Sequence, residues 1–278
     1  MAIRGRRVPV VPCLVLGLFV VLAVFAAWIA PHAPEQQDLM ARFTPPFTSW
    51  SHLLGTDALG RDVLSNVIFG LRVSLLAGFV SVAISVTIGT AIGLLAGYAG
   101  GGRLDNLAMR AADVQLSLPA VLIALGALAL LGRGLWKMIL IIGLVGWAQY
   151  GRLARGSVLV ERERQYVAAA TVIGASPMRV MFRHILPNVI GPLLVQISVD
   201  IPRAVELAAT LSFLGLGVAI TTPALGLRIS QGYQYLLSGM WWPSIIPGAV
   251  LIALVLCENL IGDWVRDIAD PRRRARSD

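Results

Sequence analysis

The chain has 278 residues, of which 57% are hydrophobic and only 14% charged, and its formal net charge is +8. Soluble domains carry about 25% charged residues, and the apolar runs here far exceed the roughly 4–8 residues of a buried strand. A soluble core is excluded, and the chain reads as a polytopic membrane protein.

Three arginines, Arg4, Arg6 and Arg7, precede the first charge-free stretch, residues 8–31. That stretch is longer than the about 7–15 apolar residues of a cleaved signal peptide, so it reads as an uncleaved first span. Pro31, Pro34, Pro45 and Pro46 follow. They disfavour a continuous helix and predict a chain extended over the outer face. Asp57, Arg61 and Asp62 close that segment, placed to bridge one another or a partner. The next charge-free stretches are 73–102, 114–132 and 138–151. A span needs about 20 apolar residues. The short last stretch is lengthened by Trp136 and Lys137, which sit at the interface with the lysine stem snorkelling. Leu118-Pro119 predicts a kink in the third span.

Residues 166–188 read YVAAATVIGASPMRVMFRHILPN. The alanine-rich half predicts a helix through Ile173. Gly174 stops it, Ser176 caps a second helix with Pro177 in its first turn, and Leu186-Pro187 is expected to close that helix. The segment reads as two short helices meeting at a fixed bend.

Residues 185–227 are predicted as one long helix carrying Asp200, Arg203 and Glu206 at i, i+3, i+6 spacing. Each charge costs about 2.5–3.5 kcal/mol near the bilayer centre, so none is expected to face lipid. Two readings stand: a self-neutralising ladder packed against other helices, or the lining of a polar pathway. In the second, Arg203 neutralises Asp200 and leaves Glu206 uncommitted, and the lining extends to Ser212 and Phe213. The glycines of LSFLGLG, residues 211–217, permit close packing or a bend. A last charge-free stretch, 229–257, completes six predicted spans. With a cytoplasmic N-terminus, sixteen basic residues fall inside and six outside, so both termini are expected in the cytoplasm and the positive balance is topology rather than a nucleic-acid footprint.

Several chemistries find no residues. The one lysine, Lys137, follows Trp136 and belongs to no P-loop. His32, His52 and His184 are scattered, lack zinc-site spacing and predict no metal site. None lies within a span, as an intramembrane serine protease would need. Cys13 and Cys257 fall near the cytoplasmic ends of the first and last spans, where a disulfide is not expected. No catalytic residue is expected, and the chain reads as a non-enzyme.

Segment 166–188 resembles the EAA loop of ABC-importer permeases. Ala168, Ala169 and Ala170 stand at the EAA positions, Gly174 at the glycine with Ala175 and Ser176 after it, and Leu186-Pro187 at the closing pair. LGTDALGRDVLS (54–65), LSFLGLG and GDWVRDIADPR (262–272) resemble segments of the second permease subunit of dipeptide, oligopeptide and nickel importers. The resemblance runs from Pro9 to Arg272. It implies an all-α integral membrane protein with six transmembrane helices, the type I ABC importer permease fold, and a cytoplasmic coupling helix. The division is then residues 1–72 (tail, first span and outer segment), a permease core 73–262 containing the coupling loop 152–188, and a tail 263–278. The implied partners are a second, different permease, one or two P-loop ATPase subunits that bind ATP and Mg, and an extracytoplasmic substrate-binding protein. The implied location is the bacterial cytoplasmic membrane, and the implied cargo is a short peptide or related small solute. This chain itself would bind no cofactor and no nucleic acid.

One position departs from the family. Its glutamate is Ala168 here, so a charge-assisted contact is lost. Docking then falls to Gly174 and its flanking helices, with Arg162, Glu163 and Arg164 as another source of charge complementarity or simply a solvated face. The rival reading is an ATP-independent secondary transporter that uses the charges at 200, 203 and 206; the lack of an internal repeat disfavours it.

Overall fold

The computed structural model describes residues 8–269, and its regular elements are helical apart from one antiparallel bridge between Thr56 and Asp62. Helix α1 (Val10–Val24) breaks at Phe25 and resumes as the single turn α2 (Ala26–Ile29). The proline-bearing segment forms no continuous helix, as predicted, but it folds back on itself through turns rather than running extended. Trp242 Nε1 donates to the Thr56 carbonyl at 2.9 Å, and Phe43 packs edge-on against Tyr235 at 4.9 Å.

Helix α3 (Val63–Ala99) starts ten residues before the charge-free stretch that announced it, and it carries Arg72, which the sequence assigned to an outer loop. The reason is local. Asp62 caps the helix, its carboxylate accepting from the Ser65 amide at 2.8 Å and the Ser65 hydroxyl at 2.7 Å. Asp57 bridges Arg61 at 2.7 Å in the turn just before.

The core is the contact between α3 and helix α6 (Leu135–Arg162). Gly89, Gly93 and Gly97 recur every four residues on α3 and lie directly against α6. A Cβ on Gly89 would sit 2.5 Å from the Tyr150 Cβ, one on Gly93 2.7 Å from the Ala154 Cβ, and one on Gly97 2.8 Å from the Val158 Cβ. Small residues at this spacing let membrane helices approach closely. Further along, Ser81 and Ser85 donate across the interface to the carbonyls of Ile139 (3.0 Å) and Gly143 (2.8 Å).

Between them, helix α4 (Arg103–Leu116) turns 91° into helix α5 (Ala120–Leu131). The kink expected at Leu118-Pro119 is a full break. Proline offers no N–H and drives its predecessor out of the helical region. α4 is clamped to α6 by the ion pairs Asp105–Arg155 and Asp113–Arg152. Asp105 is buried, and its Oδ2 accepts from Arg155 Nη2 at 2.8 Å.

Helix α7 (Gln165–Val172) and the turn α8 (Pro177–Arg179) flank Gly174, as the local chemistry predicted. The expectation that Leu186-Pro187 closes the second helix is overturned. The chain passes from α8 through a π-helical segment, Val180–Ile185, into helix α9 (Leu186–Phe213), giving one continuous helix Pro177–Phe213. The wider π turn, with the Leu186 amide bonded to the Met181 carbonyl, removes the clash that a proline ring makes with the carbonyl four residues back.

The long helix expected over 185–227 ends at Phe213. Gly215 takes a left-handed φ of +79°, and the amides of Leu216 and Gly217 both return to the Leu211 carbonyl, at 3.0 and 2.9 Å. A separate helix α10 (Leu225–Tyr233) follows, and the last helix, α11, spans Trp242–Ala269. The stretch from residue 229 is therefore not all span; nearly half of it, residues 229–241, is the end of α10 and a loop with one short 3-10 turn. Among the described residues, three helices are long and apolar enough to cross a membrane (α3, Pro177–Phe213 and α11), or four if the bent α4–α5 pair is one crossing.

The glycine contact predicts a large difference between neighbouring glycine substitutions. Gly93→Val should lower thermal stability in detergent by about 1–3 kcal/mol or more through overpacking. Gly126→Ala on α5, where nothing lies within 4 Å, should be neutral or slightly stabilising. Paired melting curves check both.

Candidate functional site

The predicted charges on α9 do share a surface. Asp200, Arg203 and Glu206 line an open cleft of about 330 Å³ whose other walls are Ser81 and Ser85 of α3 and Tyr150 of α6. The Arg203 Nη1 lies 3.4 Å from Asp200 Oδ1, and Gln196 donates to the other Asp200 oxygen at 2.9 Å. Asp200 is thus neutralised from its own helix. Glu206 is exposed, and its carboxylate has no hydrogen-bond partner among the described residues.

The cleft continues past Glu206 into a second hollow of about 410 Å³ that Thr210 and Phe213 also line. Residues 200, 203, 206, 210 and 213 recur at helical spacing and form one stripe. Ser212 lies off that stripe. It is buried at 2% exposure, with its hydroxyl 3.7 Å from the Met138 sulfur. Of the five residues named for the pathway, four are brought together and Ser212 is turned into the core.

Sequence reasoning passed over Glu258. It follows the last charge-free stretch by one residue and reads there as the end of a span. In the structure it is 5% exposed on α11, and neither carboxylate oxygen has a hydrogen-bond partner. Its burial was not visible from spacing, because α11 is covered by α9, an element distant in sequence.

The second group of predicted residues forms an elbow at the opposite end of the same continuous helix. Val167 and Ala170 face inward and are buried, while Ala168 and Ala169 are exposed. Gly174 has φ +87° with no atom within 4 Å of a built Cβ, so backbone conformation rather than space requires glycine. The Ala175 amide bonds back to the Ala170 carbonyl at 3.1 Å, and the Ser176 hydroxyl accepts from the Arg179 amide at 3.4 Å. The base of the elbow is closed by Tyr166, which donates to Glu161 at 2.7 Å and accepts from Asn188 at 3.0 Å. Leu186 and Pro187 sit at this base rather than at a helix end. Val172 and Ile173 stand 88% and 85% exposed at the tip. Arg162 donates to the Tyr98 carbonyl at 3.0 Å, fastening α6 to the end of α3, and Arg164 lies 3.8 Å from Glu161.

His184 belongs to the π segment, whereas His32 and His52, twenty residues apart in sequence, stack with ring centroids 4.8 Å apart.

Residues 89–275 match the family described as binding-protein-dependent transport system inner membrane component, and residues 3–46 match the N-terminal TM domain of oligopeptide transport permease C. The chain belongs to this family, the permease subunits of ABC importers. It is 40% identical, over 97% of its length and 89% of the relative's, to the probable D,D-dipeptide transport system permease protein DdpC of Escherichia coli. It is 42% identical to the di/tripeptide transport system permease protein DppC of Pseudomonas aeruginosa, covering 92% of this chain and 85% of that one. A chain of the inward-facing MetNI methionine ABC transporter shares the fold, with a TM-score of 0.59 at 20% identity over 74% of this chain and 96% of that one.

The two faces of α9 make a labelling prediction. In a background with Cys13→Ala and Cys257→Ala, a cysteine at Thr210 should react with a membrane-impermeant maleimide in purified protein, and one at Ser212 should not. Equal reactivity would contradict the burial pattern.

Proposed function

We propose that this chain forms one half of the translocation pathway of an importer for short peptides, and that the elbow at Gly174 is its docking point on a separate ATPase. The observation that carries the proposal is the elbow tip. Val172 and Ile173 are apolar residues of a basic segment, yet they are among its most exposed. A pair of isoleucine-class side chains held outward by a positive-φ glycine is what a groove on a partner would cover. Their location at the far end of the helix that carries the charged cleft supports transmission between the two sites.

The remaining roles follow from the family. ATP and Mg are bound by the partner ATPases, and this chain is non-catalytic. A second, different permease supplies the other half of the pathway, and an extracytoplasmic binding protein delivers the cargo. Six crossings, with α1, α6 and the α4–α5 pair added to the long helices, put both termini in the cytoplasm of a bacterial cell, consistent with the excess of basic residues there. Short peptides as cargo are supported by the names of the relatives. A cleft of about 330 Å³ with Asp200, Arg203 and Glu206 on one wall suits a zwitterionic solute, which brings its own charges of both signs.

Gly174→Pro tests the coupling role. Proline cannot adopt φ +87°. The variant should insert normally, yet lose substrate-stimulated ATP hydrolysis and transport in reconstituted vesicles. Ile173→Asp should release the ATPase during purification while the two permeases stay together. Wild-type transport by Gly174→Pro would remove the elbow from the coupling route.

A further inference from the structure

The segment between α2 and α3 holds a cluster that the transport function does not use. His52 Nδ1 lies 3.2 Å from Asp62 Oδ1, and the His32 ring stacks on His52 at an interplanar angle of 27°. One ligand-capable atom from each of His32, His52 and Asp62 lies within 4.8 Å of the others. Asp62 is 3% exposed, the His52 side chain 11%, and His32 is half-buried. The Nδ1 of His32 is buried and has no hydrogen-bond partner, a condition that costs free energy unless water or an ion relieves it.

The three residues are also held from outside the cluster. The second oxygen of Asp62 is fixed by the Ser65 amide and hydroxyl, and that same hydroxyl accepts from the His32 amide at 3.1 Å. A ligating carboxylate whose other oxygen is hydrogen-bonded is oriented by its outer shell in the manner of established metal sites.

We propose that His32, His52 and Asp62 bind a divalent transition metal ion of the zinc or nickel class. Two imidazoles and a carboxylate suit these ions, and they leave a fourth position for water. Tetrahedral ligands at metal-bond distances lie roughly 3.4 Å apart, so the present spread of up to 4.8 Å has to contract by about 1.4 Å on binding. The donors come from three separate pieces of chain: the exit of α2, the middle of the folded-back segment, and the cap of α3. A bound ion therefore staples that segment to the start of the longest helix, and its contribution is independent of the coupling elbow.

The test uses the assembled importer, purified through a tag without histidines, stripped with EDTA and then titrated with Zn²⁺ or Ni²⁺ alone. Metal content after desalting and the thermal midpoint are both read. Wild type should retain one more equivalent of metal per complex than His32→Ala, and its midpoint should rise with Zn²⁺ but not with Mg²⁺, which prefers oxygen ligands. His32→Ala keeps the backbone bond to Ser65, so it is the deciding variant. His52→Ala serves as the second. Each should weaken binding by more than the about 10–100-fold that loss of an outer-shell partner costs. Equal metal retention by wild type and His32→Ala, or a wild-type midpoint unmoved by Zn²⁺, overturns the site.

Discussion

The approach of α3 to α6 through Gly89, Gly93 and Gly97 is the contact on which the rest of the structure depends. Apolar side chains gain nothing by leaving lipid for one another, so membrane helices hold together by close packing and by polar bonds between them. The glycine row provides the first, and the Ser81 and Ser85 hydroxyls the second. With that pair fixed, α4 is fastened by Asp105–Arg155 and Asp113–Arg152, and α9 lies across the α3–α6 surface. The cleft lies between α3, α5, α6 and α9, and the glycine row sets the separation of two of them.

Charge in such a chain must have a purpose or a partner. Asp200 and Arg203 partner each other, which limits the cost of placing them on a spanning helix. Glu206 has no such partner and is exposed, whereas Glu258 is buried without a hydrogen-bond partner. Glu206 is thereby left as an unpaired acid on α9 that faces open space rather than the packed core. A second permease subunit closing that space would turn the exposed stripe into the side of an enclosed passage.

Features set by local chemistry were legible from the chain alone. The bend at Gly174, the Ser176-Pro177 restart and the charged ladder each depend on residues within a turn or two of one another. Readings failed where a local rule met a structural alternative. Pro187 looked like a stop because proline clashes in an α-helix, but the π turn before it removes the clash. The stretch from residue 229 looked like a span because it lacks charge, yet freedom from charge does not make a helix, and Gly239 with a φ of +84° lies within it. The pairing of His32 with His52 had no sequence signal at all. It arises because a proline-rich segment doubles back onto the cap of α3, and only the folded chain brings the rings together.

The π segment has a geometric consequence for everything above it. Relative to an α-helix, the wider turn accommodates an extra residue, and an extra residue rotates the following helix by about 100°. Asp200, Arg203 and Glu206 begin more than ten residues beyond Ile185, but their compass bearing is set there. In a uniformly α-helical chain, the same sequence would swing the acidic stripe toward a different neighbour. The stretch from Pro177 to Glu206 is a rod of roughly 44 Å at the α-helical rise. Its foot is the elbow, and the angular register of its upper half is dictated by six residues near that foot.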